Sequence, residues 1–88
     1  MNHLIVRHKV ADFPVWKSGY DAHLPARKQA GLKELKLLHV AADPNDVVLL
    51  FEVADVIMAK AFCESADLRA AMEAFGVVGP PEITFLTD

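Results

Sequence analysis

Trp16, Tyr20, His23 and Arg27 follow one another at spacings of four, three and four within residues 12–31. On a helix that spacing brings all four near one face. The set holds an indole, a phenol, an imidazole and a guanidinium. Aromatic faces can hold a flat ring. A guanidinium can grip a carboxylate or phenolate in two parallel bonds. An imidazole titrates near neutrality and can act as acid or base. A second imidazole, His8, lies in HLIVRHKV, residues 3–10. His8 and His23 are therefore the candidate proton-transfer groups. Trp16, Tyr20 and Arg27 are candidate substrate contacts, with Met58 and Phe62 further along the chain as apolar walls. Each has an ordinary alternative. Aromatic residues at this spacing build cores, a core histidine satisfies hydrogen bonds, and an arginine serves as a surface or dimer-contact charge.

Other chemistries find little support. The four histidines, at 3, 8, 23 and 39, show no H-x-x-x-H pairing, and no C-x-x-C is present, so no metal site is expected. No glycine-rich loop opens a helix, which disfavours nucleotides. Ser18 and Ser65 lack a nucleophile elbow, and Cys63 has no local activating partner; Cys63 reads as a small apolar residue. His3 and His39 read as solvated or interface residues. No cofactor is called for.

The elements that must position these residues follow from hydrophobic period. Residues 3–10 alternate, with Leu4, Val6, His8 and Val10 on the more apolar face; this is a first strand, and that face should look toward the helices. A helix over 12–31 is capped by Asp12, carries Pro14 in its first turn and stops at Gly31. Pro25 lies inside it and predicts either a kink or two pieces joined near Leu24. A second strand over 34–41 sets Leu35, Leu37 and His39 on one face and Lys36, Leu38 and Val40 on the other. ADPND, 42–46, reads as a type I turn with Pro44 in its second position. A third strand, 47–54, is apolar on both faces except Glu52, as a strand covered on both sides would be. Glu52 marks a polar pocket floor or meets an interface arginine such as Arg7. Asp55 caps a second helix with Met58, Ala61, Phe62 and Ser65 on one face. A break at 65–67 precedes a last helical piece bearing Leu68, Met72 and Phe75, ended by Gly76. VVGPP, 77–81, reads as a loop before a fourth strand, EITFLT.

This order, β-α-β-β-α-β, with right-handed crossovers, gives a ferredoxin-like α+β sandwich in one domain over residues 1–88. Its antiparallel sheet has strand order 4-1-3-2 and both helices on one face. The other face, with Ile5, Leu86 and one side of the second and third strands, is left bare and apolar. Such a face is costly in water, so a second copy packed sheet to sheet is expected.

Bulk composition agrees. A chain of 88 residues buries roughly 60–65% of its unfolded surface. Yet 53% of its residues are hydrophobic, with a mean hydropathy of +0.25, more than one small core hides. The net charge of −3 with nine scattered basic residues argues against nucleic acid as a partner. The single cysteine fits a reducing cytoplasm. The N-terminus is too short and polar for a signal peptide, and no apolar run approaches the roughly 20 residues that span a membrane.

The segments HKVADFPVW, DAHLPARKQAG, ADPNDVVLLFE and VVGPPE together resemble small proteins of the dimeric α+β barrel superfamily, antibiotic biosynthesis monooxygenase-like or cyclase-like. The resemblance covers nearly the whole chain and is specific for fold rather than chemistry. It implies a homodimer and a pocket between the helices and the sheet of each subunit, where His8 meets the Trp16–Arg27 face. It also implies three candidate functions. One is a cofactor-independent monooxygenase, cyclase or isomerase acting on a small aromatic or enolisable compound. Another is a noncatalytic small-ligand binder. The third is a haem-binding protein with a histidine as axial ligand.

Overall fold

The computed structural model describes residues 1–88. In chain order the elements are β1 (Asn2–Val10), α1 (Phe13–Ala22), α2 (Leu24–Gln29), β2 (Leu32–Val40), β3 (Asp43–Val53), α3 (Val56–Cys63), α4 (Ala66–Ala74) and β4 (Val77–Thr87). The four strands form one antiparallel sheet in the order β2-β3-β1-β4. This is the expected ferredoxin-like topology, with each helical crossover split in two. No helix is long and apolar enough to cross a membrane.

Register decides which residues face the helices. Leu4 stands opposite Phe51, Val6 opposite Leu49 and His8 opposite Val47; Phe85 and Ile83 of β4 continue these rows. Leu4, Leu49, Phe51 and Val47 are buried against Trp16, Tyr20, Ala30 and Ala59. Trp16 is 2% exposed, as an aromatic residue between a helix and a sheet should be.

Pro25 resolves the long first helix into two pieces. It occupies the first turn of α2, where its missing N–H costs little, and His23 forms the joint with φ −88° and ψ 6°. Asp12 and Asp55 cap α1 and α3 with their carboxylates, and Gly31 adopts positive φ at the exit of α2, as a glycine stop does.

The strands run longer than expected, because pairing continues through irregularities that the turn residues mark. The loop between β2 and β3 is Ala41–Ala42, with Val40 opposite Asp43, so Pro44 lies in β3 rather than in a type I turn. Residues 44–46 form a bulge there. Pro44, which has no N–H for a ladder bond, is tolerated at such a place, and the Asp43 carboxylate accepts from the Asn45 N–H. VVGPP is likewise part of β4, and its residues 79–81 bulge out where the register with β1 shifts between Arg7 and Lys9.

One bulge rearranges a face. Glu34 stands opposite Phe51 while Lys36 stands opposite Leu50, so Leu35 is the extra residue and the pleat reverses around it. Glu34, Leu37 and His39 therefore share the helix side. Leu35 does not join them and is 43% exposed.

The second sheet face has no cover in the monomer. Ile5, Val48 and Leu50 are partly buried on it, and Leu38 and Leu86 are 49% and 45% exposed. Arg7 clasps Asp46 with Nε–Oδ1 3.1 Å and Nη2–Oδ2 2.9 Å. Within the chain Arg7 thus pairs with Asp46. Glu52, opposite His3, lies on this bare side and cannot be a pocket floor.

Candidate functional site

The sheet, the α1–α2 pair and the α3–α4 pair enclose a cavity of about 70 Å³. His8, Trp16, Tyr20, His23, Arg27 and Phe62 all border it, so the structure brings six of the seven sequence-derived candidates together. Met58 is the exception. It is 48% exposed and lines an outer hollow with His23 and Phe62. The short α3 rolls so that Ala59, fully buried, faces the sheet together with Val56, Phe62 and Cys63. Met58 is one step around the helix from that stripe and points away. The wall assigned to it is made by Leu68 and Met72 of α4 and by Phe75 at its C-terminal end, with Cys63 and Ile83.

His8 comes from the central strand β1 and is 6% exposed. Neither of its ring nitrogens has a hydrogen-bond partner. Its ring meets Trp16 edge to face, centroids 5.3 Å apart. Burial pushes its pKa below the ordinary imidazole value, and the charge of Asp46 opposes this only in part. A buried imidazole without partners is held neutral, because the charged form loses its hydration.

Trp16 stacks on Tyr20 at 4.7 Å, one helical turn further on. The Tyr20 hydroxyl donates to Glu34 Oε1 at 2.7 Å. Burial, then this hydrogen bond to a carboxylate, raises the Tyr20 pKa, so the phenol stays protonated as a donor. Glu34 is the residue that sequence reading missed at this site. Strict alternation puts it opposite Leu35 and Leu37, and only the bulge at Leu35 turns it toward Tyr20.

Arg27 is 7% exposed, not a surface charge. Its guanidinium lies 3.6 Å from the centroid of the Tyr20 ring, and its Nη1 donates to the Tyr20 carbonyl. That carbonyl belongs to the last turn of α1, where a cation is favoured. The joint at His23 folds α2 back enough for this contact.

His23 lies at the rim. Its ring is 6.0 Å from both Phe62 and Phe75, and it borders the cavity and the outer hollow alike. Cys63 is partly buried at the cavity wall, and burial raises its pKa. His39 lies outside: it meets Phe13 edge to face at 4.4 Å, and its Nδ1 stands 2.7 Å from the Pro44 carbonyl. The Phe13 N–H donates to Asn45 Oδ1, which fixes the start of α1 on the β2–β3 hairpin. No group of three or more His, Cys, Asp or Glu side chains is placed to hold a metal ion.

The arrangement suits a small, mostly apolar molecule. Its lining is mostly aromatic and aliphatic, and the few polar groups among it, His8, Tyr20, His23 and Arg27, are the ones that could orient such a molecule.

No family model matches this chain, and no curated protein does. Solved structures do match. A Bordetella bronchiseptica protein provisionally named an antibiotic biosynthesis monooxygenase superposes with a TM-score of 0.77 at 17% identity, covering 99% of this chain and 95% of that one. A Nitrosomonas europaea protein with the same provisional name gives 0.69 at 19% identity over 100% and 98%. A variant of SnoaB, a cofactor-independent oxygenase from Streptomyces nogalater, gives 0.71 at 14% identity over 99% and 91%. At such identities the likeness establishes the fold. The chain has the ferredoxin-like fold shared by these antibiotic biosynthesis monooxygenase-like structures.

Proposed function

We propose that the protein is a cofactor-independent monooxygenase acting on a small phenolic or enolisable compound bound in the cavity. One observation carries the reading: His8 is buried among the residues that line the cavity, and neither of its ring nitrogens has a protein partner. A neutral imidazole there takes a proton from a substrate hydroxyl or enol. The resulting anion is electron-rich and reacts with dioxygen directly. For a phenol with a free ring C–H the balance is phenol plus O₂ giving quinone plus water. One oxygen atom enters the ring as a carbonyl and the other leaves as water, and the substrate supplies all the electrons. The apolar walls keep bulk water from the reactive anion. The shared fold with SnoaB, itself a cofactor-independent oxygenase, supports this reading by analogy.

The working form is a homodimer closed over the bare sheet face, where Ile5, Leu38, Leu50 and Leu86 gather.

A second reading, ligand binding without turnover, draws on a specific feature. No carboxylate or backbone group orients His8, whereas catalytic bases are usually held by a third group. An oxygen-electrode assay over a panel of phenols separates the two. Turnover predicts oxygen uptake that His8→Leu abolishes. Saturable binding with no uptake favours the binder.

A further inference from the structure

We propose that the ligand of this cavity is an organic acid whose carboxylate is held by Arg27, with its ionisable hydroxyl at the His8 end. The proposal rests on the reading of the cavity as a binding site and adds the substrate class and its orientation.

Arg27 is a buried cation without a counter-ion. The three ion pairs of the protein join the N-terminus to Asp88, Arg7 to Asp46 and Lys17 to Asp21; no carboxylate lies within 4.0 Å of Arg27. Glu34 accepts from the Tyr20 hydroxyl and makes no ion pair with Arg27. A guanidinium carries five N–H donors, and Arg27 makes a single hydrogen bond, to the Tyr20 carbonyl. Contact with the Tyr20 ring and with the end of α1 offsets part of the cost of burying the charge. It leaves the rest of the planar donor fork without a protein partner. A carboxylate entering the cavity supplies what the protein does not.

The wall gives the direction. His8 meets Trp16, Trp16 stacks on Tyr20, and Arg27 lies over Tyr20. The unpartnered imidazole and the unpaired guanidinium therefore sit at opposite ends of one aromatic strip. A molecule along that strip puts its anion at one end and its acidic proton at the other. A carboxylate fits better than a phosphate, since there is a single cation with planar geometry in an apolar cavity of about 70 Å³. Met72 on the α4 side is the adaptable wall that yields to a ring.

The test is equilibrium binding under argon, so that turnover plays no part. Trp16, the only tryptophan, reports by fluorescence. The probes are 4-hydroxybenzoate and its neutral counterpart 4-hydroxybenzamide, with wild type, Arg27→Met and Arg27→Lys. The expected result is acid binding at least about tenfold tighter than amide in wild type. Arg27→Met should remove that preference without weakening the amide, and Arg27→Lys should restore part of it. Equal binding of acid and amide to wild type overturns the Arg27 assignment and leaves the cavity standing. So does Arg27→Met weakening both probes alike. Silence of both probes in wild type overturns the assignment together with the binding cavity. Because the wild-type comparison needs no variant, a misfolded Arg27→Met does not blunt the test.

Discussion

Phe75 rests on the bare backbone of Gly19: a Cβ at position 19 would stand 2.2 Å from Phe75 Cδ1. The contact brings the end of α4 down onto α1 and closes the cavity over His23 and Tyr20. Gly19→Ala should force the ring aside. Overpacking costs about 1–3 kcal/mol, against a gain of about 0.5–1 kcal/mol for alanine in a helix, so a net loss of up to about 2.5 kcal/mol is expected in urea melts. With Phe75→Ala already present, Gly19→Ala should instead stabilise. A double-mutant cycle showing no coupling would remove this contact as the closure of the cavity.

His8→Leu should separate stability from activity. The imidazole has no hydrogen-bond partner to lose, and a leucine keeps apolar contact with Trp16, so the replacement is neutral or stabilises by up to about 1 kcal/mol. Loss of the base should lower kcat/KM by about 10²–10⁴. A variant that is unstable as well as inactive would show His8 to be a structural residue.

The pH dependence has a definite sign. Burial lowers the His8 pKa in the folded state. As pH falls below about 6.5, the unfolded chain takes up a proton that the native state does not. Stability should therefore be flat above that pH, fall below it, and level off once the folded-state pKa is passed. Asp46 works against the shift. Subtracting the His8→Leu curve from that of wild type isolates this contribution from the other histidines. A flat difference between pH 7 and 5 contradicts a neutral His8.

Trp16→Ala should cost about 3–5 kcal/mol, since the side chain is 2% exposed and touches His8, Phe13 and Tyr20. For a domain this small that is a large share of total stability. Urea midpoints measure it, and a loss below about 1 kcal/mol would mean that α1 does not pack as described.

Sedimentation should give a dimer at micromolar concentration, with an interface on the order of 2,000 Å² or more. Leu50→Lys, at the centre of the bare sheet face, should yield a monomer. A wild-type monomer, or a Leu50→Lys dimer, excludes sheet-to-sheet assembly.

The topology and most of the cavity were legible in the chain. Alternation in residues 3–10 places His8 on the helix side because side chains of a strand alternate strictly. The spacing of Trp16, Tyr20 and His23 puts them on the face that must cover it. Asp12, Asp55, Gly31 and Pro25 mark helix ends by local chemistry, and the structure uses each of them so. These features depend on a few consecutive residues, and the chain states them directly.

What tertiary structure alone decided depends on a neighbour. The bulge at Leu35 arises from pairing with β3, and it turns Glu34 to the helix side against its own alternation. The roll of α3 follows from seating Ala59 on the sheet, which sends Met58 out and hands its place to α4. Along the chain Arg27 reads either as a pocket contact or as a surface or dimer-contact charge, since arginines rarely lie buried without a counter-ion. Its burial results from the turn at His23, which lays the guanidinium on Tyr20. Local sequence fixes which way a side chain leaves its own backbone. Only packing fixes which surface the backbone then presents to the rest of the molecule.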